Sequence, residues 1–219
     1  VKILAEDRSK KTRKGIPKEL IYEMRYGKPI YYRDYDKVLS GEKTLEEVLG
    51  SSKLQAILVV LIATFLMQEF RNRFKGNYIV TSNELGFSFA PRSWRNLDIA
   101  VFEKEKLIKE GIDDKYVKTP PEVVIEIDTK ADLRKFSTPH NYFYQKIDDL
   151  LNAGVKKVVW IFTTDRKILI ADKDQDWIIQ PWNKSFQVLE NIEINVEKLL
   201  HEEGIYPGDK TTLTKGNDG

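Results

Sequence analysis

The sequence predicts an α/β protein in which helices flank a mixed sheet and an N-terminal extension precedes the core. Three observations carry this. Residues 54–74 are apolar on nearly every face until Gln68, as expected of a helix. Residues 122–128 set Val123, Ile125 and Ile127 against Glu122, Val124, Glu126 and Asp128 at the period of a strand. Between that strand and a β-branched run at 157–163 lies an amphipathic helical pattern, the strand-helix-strand order of a parallel crossover.

Taken in order, residues 1–15 form a basic arm, whose density of like charge resists packing. Residues 16–50 are expected to pack on the core as an extension, a short helix followed by an aromatic extended segment around Tyr26, Ile30, Tyr31 and Tyr32. Gly50-Ser51-Ser52 breaks the chain and supplies an N-cap for a central helix that should be covered on several sides. Two neighbouring strands are expected at 78–84 and 97–103. The crossover helix at 140–153 presents Phe143, Ile147, Leu150 and Leu151 on one face and ends at Gly154. Strands at 157–163, 167–171 and 177–180 follow, the last two as a hairpin, with a final helix at 195–202. The core domain is thus 51–203, and 204–219 is a polar tail too rich in Gly, Thr, Lys and Asp to pack.

Composition bounds the chemistry. In 219 residues, 41% apolar and 11% aromatic content supplies a real core and excludes wholesale disorder. Thirty-six Lys and Arg against 34 Asp and Glu leave a net charge of +2, so any nucleic-acid surface must be local. With no Cys and two His, disulfides, thiolate zinc sites and cysteine nucleophiles are excluded, and a metal would be oxygen-ligated. The longest apolar run, 56–67, is shorter than the roughly 20 residues a bilayer span needs, and no signal-peptide pattern opens the chain. The expectation is a cytoplasmic protein without a membrane partner.

Two strands carry carboxylates where apolar side chains belong. Asp98 interrupts Leu97, Ile99, Ala100 and Val101, and Glu126 and Asp128 share one face of their strand by alternation. An unpaired buried charge costs several kcal/mol, so something must compensate them. A divalent cation would do so for both strands, and Mg²⁺ prefers such oxygen donors. Ordinary salt bridges would explain either strand alone. Lys146, beside the Phe143 and Ile147 stripe, could reach toward Glu126; Lys130 and Lys135 are rivals close in sequence to the same carboxylates.

Ser51, Ser52 and Gln55 opening a helix, Asp98 in a strand, the Pro120-Pro121-Glu122-Val123-Val124-Ile125-Glu126-Ile127-Asp128 strand, and Lys146 eight residues before Gly154 and ahead of Trp160 resemble the Uma-type restriction endonuclease family of the PD-(D/E)XK nuclease superfamily. The resemblance spans roughly residues 45–200. It implies a restriction-endonuclease-like fold and a hydrolase, an endonuclease cutting DNA with Mg²⁺ (or Mn²⁺ in its place). Asp98, Glu126 and the Ile127 carbonyl would hold the metal, and Lys146 would be the migrated active-site lysine. The chain departs from the superfamily pattern at Leu97, where a proline is usual, and at Asp128, where a lysine is usual. Asp128 would then be an extra ligand or a partner of Lys146, with Glu84 and Gln55 as further candidates near the site. Arg92 and Arg95 are candidate DNA contacts. Symmetric cutting of both strands would call for a homodimer. The competing reading is a non-catalytic nucleic-acid-binding or interaction module on a degenerate nuclease fold.

Overall fold

A computed structural model describes residues 15–208; the basic arm except Gly15, and the tail beyond Gly208, lie outside the described residues. After a 3₁₀ turn at Lys18–Leu20 come β1 (Ile21–Arg25), β2 (Lys28–Tyr31), α1 (Tyr35–Ser40) and α2 (Leu45–Leu49). The core continues with α3 (Lys53–Phe74), β3 (Tyr78–Ala90), β4 (Ser93–Glu103), α4 (Lys104–Glu110), β5 (Val123–Ile127), α5 (Pro139–Asn152) and β6 (Lys157–Phe162). It closes with β7 (Lys167–Asp172), β8 (Ile178–Pro181), β9 (Phe186–Leu189), β10 (Ile192–Ile194) and α6 (Val196–Glu202). Eight strands form one mixed sheet in the order β2-β1-β4-β5-β6-β7-β8, with β3 also paired to β4. Among the described strands only β5 and β6 run parallel, joined through α5. The sheet has a core on each face: α3, α6 and the β9–β10 hairpin cover one, and α5 with the extension covers the other.

The extension opens with a 3₁₀ turn and a β-hairpin, not with a short helix followed by a single extended segment. Tyr26 and Gly27 both take left-handed φ, 47° and 75°, the requirement of a tight two-residue hairpin turn, so β1 and β2 pair and join the main sheet at Met24 opposite Trp94. Ser52 caps α3 by accepting from the Gln55 N–H. That helix buries one stripe only, Leu58, Ile62, Leu66 and Phe70 at successive i+4 steps. It is therefore not covered on several sides: Ile57, Val60 and Met67 are exposed on the opposite face. By length and composition α3 is apolar enough to cross a bilayer, but in this fold its buried stripe packs on the sheet. The strands at 78–90 and 93–103 are longer than the apolar runs suggest, because the hairpin continues through polar residues around Pro91 and Arg92. Neither α4 nor the β9–β10 hairpin is signalled by periodicity.

One topological detail positions the site. A strand has two edges, and β3 occupies one edge of β4 along most of its length. The opposite edge is shared: β1 meets it at Trp94, while β5 meets it at Ile99, Ala100 and Val101. Residues 95–98 therefore lie at a fork where β4 leaves one neighbour and gains the next.

Candidate active site

Asp98 and Glu126 stand on either side of this fork. The pairing of Ile99 with Ile125 sets Asp98 opposite Glu126 if the register continues one step, and cross-strand partners point to the same face of a sheet. Both are buried, Glu126 almost completely. Asp98 Oδ2 accepts from the Ile127 N–H at 2.8 Å, fixing the carboxylate against the end of β5. The Ile127 carbonyl accepts from Gln55 Nε2 at 2.9 Å, so the first turn of α3 is tied to the same strand end.

Lys146 enters from α5. It sits one turn after Tyr142 on the buried face of the helix and is itself fully buried. Its ammonium donates to Glu126 Oε2 at 2.9 Å and to the Asn96 carbonyl at 2.7 Å, and lies 2.8 Å from Glu23 Oε1. Glu23, which the sequence reading passed over, comes from β1. Its second oxygen, Oε2, accepts from Arg95 at 2.7 Å and from the Tyr142 hydroxyl at 3.0 Å. Arg95 also donates to Asp149 Oδ2 at 2.5 Å, and Asp149 is held by Arg25 through Nε at 2.9 Å. An unbroken chain of ion pairs thus runs from Arg25 through Asp149, Arg95, Glu23 and Lys146 to Glu126. The sequence signal for Glu23 is weaker than the one for Asp98: a carboxylate between Tyr22 and Met24, with Glu19 and Arg25 close by. A register shift between Ile21 and Glu23 lets both Tyr22 and Glu23 be buried, so simple alternation does not find it.

The electrostatics are unequal. Burial pushes Glu126 up to about 8, with Asp98 adding to the effect and Lys146 only partly opposing it. Burial also raises Asp98, against the Ile127 hydrogen bond and Lys146. Burial would neutralise Lys146, but Glu126 and Glu23 outweigh it and hold the ammonium charged. Burial would likewise protonate Glu23, yet Lys146 and Arg95 keep it ionised. Glu23 is therefore the settled counter-ion of Lys146, and Glu126 is the carboxylate left under-compensated. Its Oε1 is buried with no hydrogen-bond partner.

Several expected site residues lie elsewhere. Asp128 lies just past the end of β5 at Ile127, takes a left-handed φ of 56°, and its carboxylate accepts from the Thr163 N–H at 2.9 Å and hydroxyl at 2.6 Å. It caps the end of β6 and is not turned toward Lys146 as a ligand or partner. Arg95 is fully buried between Glu23 and Asp149, so it cannot contact a phosphate as a surface residue would. Arg92 is exposed at the β3–β4 turn, against Gly27. Glu84 lies at a bulge of β3 with φ 55° and pairs with Lys130, close enough to Asp98 to raise it. Lys130 donates also to the Leu49 carbonyl, whereas Lys135 stands over the Tyr31 ring, away from the carboxylates.

Among the described residues, no cluster of three or more His, Asp or Glu side chains is arranged to hold a metal. The donor set at the fork is two buried carboxylates, one of them with the unpartnered Glu126 oxygen. That fits a hard divalent cation which keeps waters in its remaining positions. The Ile127 carbonyl already accepts from Gln55, and Asp128 is committed to Thr163, so neither adds to this pair as the structure stands.

A solved structure from Anabaena variabilis ATCC 29413, described as a "putative nuclease belonging to DUF820", superposes with a TM-score of 0.56 over 82% of this chain and 89% of its own, at 14% sequence identity. The fold is restriction-endonuclease-like. At that identity the likeness is one of architecture, the mixed sheet with its flanking helices. No family model matches the chain, and no curated protein matches it in sequence. What the restriction-endonuclease-like fold provides is a frame in which β4, β5 and α5 deliver Asp98, Glu126 and Lys146 to one place.

Proposed function

We propose that this protein is a Mg²⁺-dependent endonuclease that hydrolyses DNA phosphodiester bonds. The observation that carries the reading is the buried convergence of Asp98, Glu126 and Lys146 on one face of the sheet fork, with one Glu126 oxygen left unpartnered. The neighbour's description as a nuclease and the family resemblance of the sequence support the same class of activity. Asp98 and Glu126 would hold the cation, which when bound supplies Lewis-acid polarisation of a phosphate and a more acidic water. Lys146 is oriented by Glu23 and the Asn96 carbonyl, so its ammonium is held rigidly beside Glu126. In that position it can orient a nucleophilic water and offset negative charge developing on the phosphate oxygens. Burial, with the Asp98 charge adding to it, raises the Glu126 carboxyl to about 8, and a bound cation would favour its ionised form.

The test is cleavage of supercoiled plasmid and labelled oligonucleotides in Mg²⁺ or Mn²⁺ against EDTA, with Asp98→Asn and Glu126→Gln as controls. Metal-dependent nicking by the wild type, lost in both variants, is the expected result. A wild type that neither cuts nor binds Mn²⁺ would leave the fold as a non-catalytic module.

A further inference from the structure

We infer that the cleft between the β1–β2 hairpin and α5 binds single-stranded DNA in preference to an intact duplex, so a single strand is the better substrate of this protein. The proposal rests on the nuclease reading. The cleft has a volume of about 320 Å³ and is lined by Arg25, Tyr26, Lys28, Tyr31, Lys135 and Gln145 among others, within the range of sites that enclose a small ligand or one unit of a larger one.

Its charge is uneven in a specific way. Arg25 is held by Asp149, and Asp132, which also borders the cleft, is taken by Arg134 at 2.8 Å. Those pairs cancel. Lys28 and Lys135 have no carboxylate partner among the described residues, so the cleft keeps two free cations. Arg92, exposed beside Gly27 at the hairpin tip, extends the positive rim.

The aromatic groups are arranged to match. Tyr26 is 56% exposed, with the Arg25 guanidinium 5.0 Å from its ring centre. Tyr31 stacks on Tyr35 at 4.7 Å through one face, and the Lys135 ammonium stands 4.6 Å from its ring centre. Lys135 is exposed and its ammonium also lies 5.8 Å from the Tyr35 ring centre, so it stands beside the Tyr31–Tyr35 pair, where it can meet a phosphate while Tyr26 offers its exposed ring to a base. Cations tracking a backbone beside rings that stack on bases are how sequence-tolerant single-strand sites are built. A duplex keeps its base faces inside the stack and would meet only the cations.

Position completes the argument. Arg25, on the wall of the cleft, begins the ion-pair chain that passes through Asp149, Arg95 and Glu23 to Lys146. The hairpin that forms the cleft is thus the same element that fixes the candidate catalytic lysine.

The experiment is fluorescence anisotropy in EDTA with a labelled oligothymidylate of about 15 nucleotides and a hairpin duplex of matched length. The full chain is compared with the Lys28→Glu, Lys135→Glu double variant and with Tyr26→Ala. The expected result is tighter binding of the single strand than of the duplex, and at least about a tenfold loss in the double variant. The slope of log K against log salt should fall by at least about 1.4, two contacts at about 0.7 each. Tyr26→Ala should weaken single-strand binding with the salt slope unchanged. Equal affinity for duplex and single strand, or unaltered binding in the double variant, would overturn the proposal. Because binding is read without metal, a wild type that binds the oligonucleotide in EDTA yet cuts nothing once Mg²⁺ or Mn²⁺ is added supports the cleft while counting against the nuclease reading.

Discussion

Glu23 Oε1 lies 2.8 Å from Lys146 Nζ with both side chains fully buried, so a strand of the N-terminal extension supplies the counter-ion of the crossover-helix lysine. The extension is therefore part of the candidate site and not an accessory to it. Glu23 also ties Lys146 to Arg95, so moving any of the three disturbs the others.

Glu23→Gln tests this directly. It leaves Arg95 and Lys146 short of one buried negative charge, a loss on the order of 3 kcal/mol by the usual scale of breaking a buried ion pair. The carboxyl of Glu23 is held below its ordinary value, so its contribution is present above the carboxylate range and disappears as pH falls through the folded-state value. Urea unfolding at neutral and acid pH should show the gap between wild type and variant closing on the acid side. A gap that stays constant would mean the charge of Glu23 does not matter.

Lys146→Ala should lower cleavage by about a hundredfold or more, the scale for losing one transition-state donor. It should also destabilise the metal-free protein, because Glu23 and Glu126 lose the cation between them. Lys135→Ala, remote from the carboxylates, should leave cleavage of a duplex plasmid within a few-fold of wild type. Lys130→Ala removes the partner of Glu84 and is expected to act on stability more than on rate. If Lys130→Ala abolishes cleavage in a folded protein while Lys146→Ala does not, the lysine assignment is wrong.

Glu126→Gln gives a pH signature. The folded-state value of Glu126 is raised to about 8 from an ordinary 4.5, so its stabilising protonation is complete below the unfolded value and is lost as pH rises through about 8. Metal-free wild type should lose this contribution to thermal stability between about pH 4.5 and pH 8, and the variant, which cannot ionise there, should lose less. Parallel melting curves across that range would show that Glu126 does not carry the buried proton.

Asp98 separates ligation from structure. Asp98→Asn can keep an oxygen acceptor for the Ile127 N–H and should fold nearly as well as wild type while losing Mn²⁺ binding, read by isothermal titration. Asp98→Ala removes the acceptor, and an orphaned buried N–H costs about 1–3 kcal/mol. Retained Mn²⁺ affinity in Asp98→Asn would place the cation elsewhere.

Arg95→Met should be read by stability, not by DNA affinity. A fully buried guanidinium between Glu23 and Asp149 makes no phosphate contact, so the salt dependence of DNA binding should be unchanged while unfolding becomes easier. A lower salt slope in the variant would return Arg95 to the DNA surface.

The sequence by itself determined the elements whose patterns are local. The period-two run at 122–128, the amphipathic stripe of α5 with its Gly154 terminus at φ 108°, and the Ser52 cap of α3 all depend on neighbours within a few residues. It also marked Asp98 and Glu126, because a charge inside an apolar strand is anomalous wherever the strand ends up. Tertiary structure decided the rest. Alternation put Asp128 with Glu126 until the strand stopped one residue earlier and the chain turned it onto Thr163. Arg95 looked like a surface cation until β1 brought Glu23 beside it. Glu23 itself acquires a role only when the β1–β2 hairpin docks at the fork of β4, a contact between segments far apart in the chain. Periodicity records which way a side chain points from its own backbone; which charges then meet is set by the packing of distant strands, and that is where the compensation of buried charge is arranged.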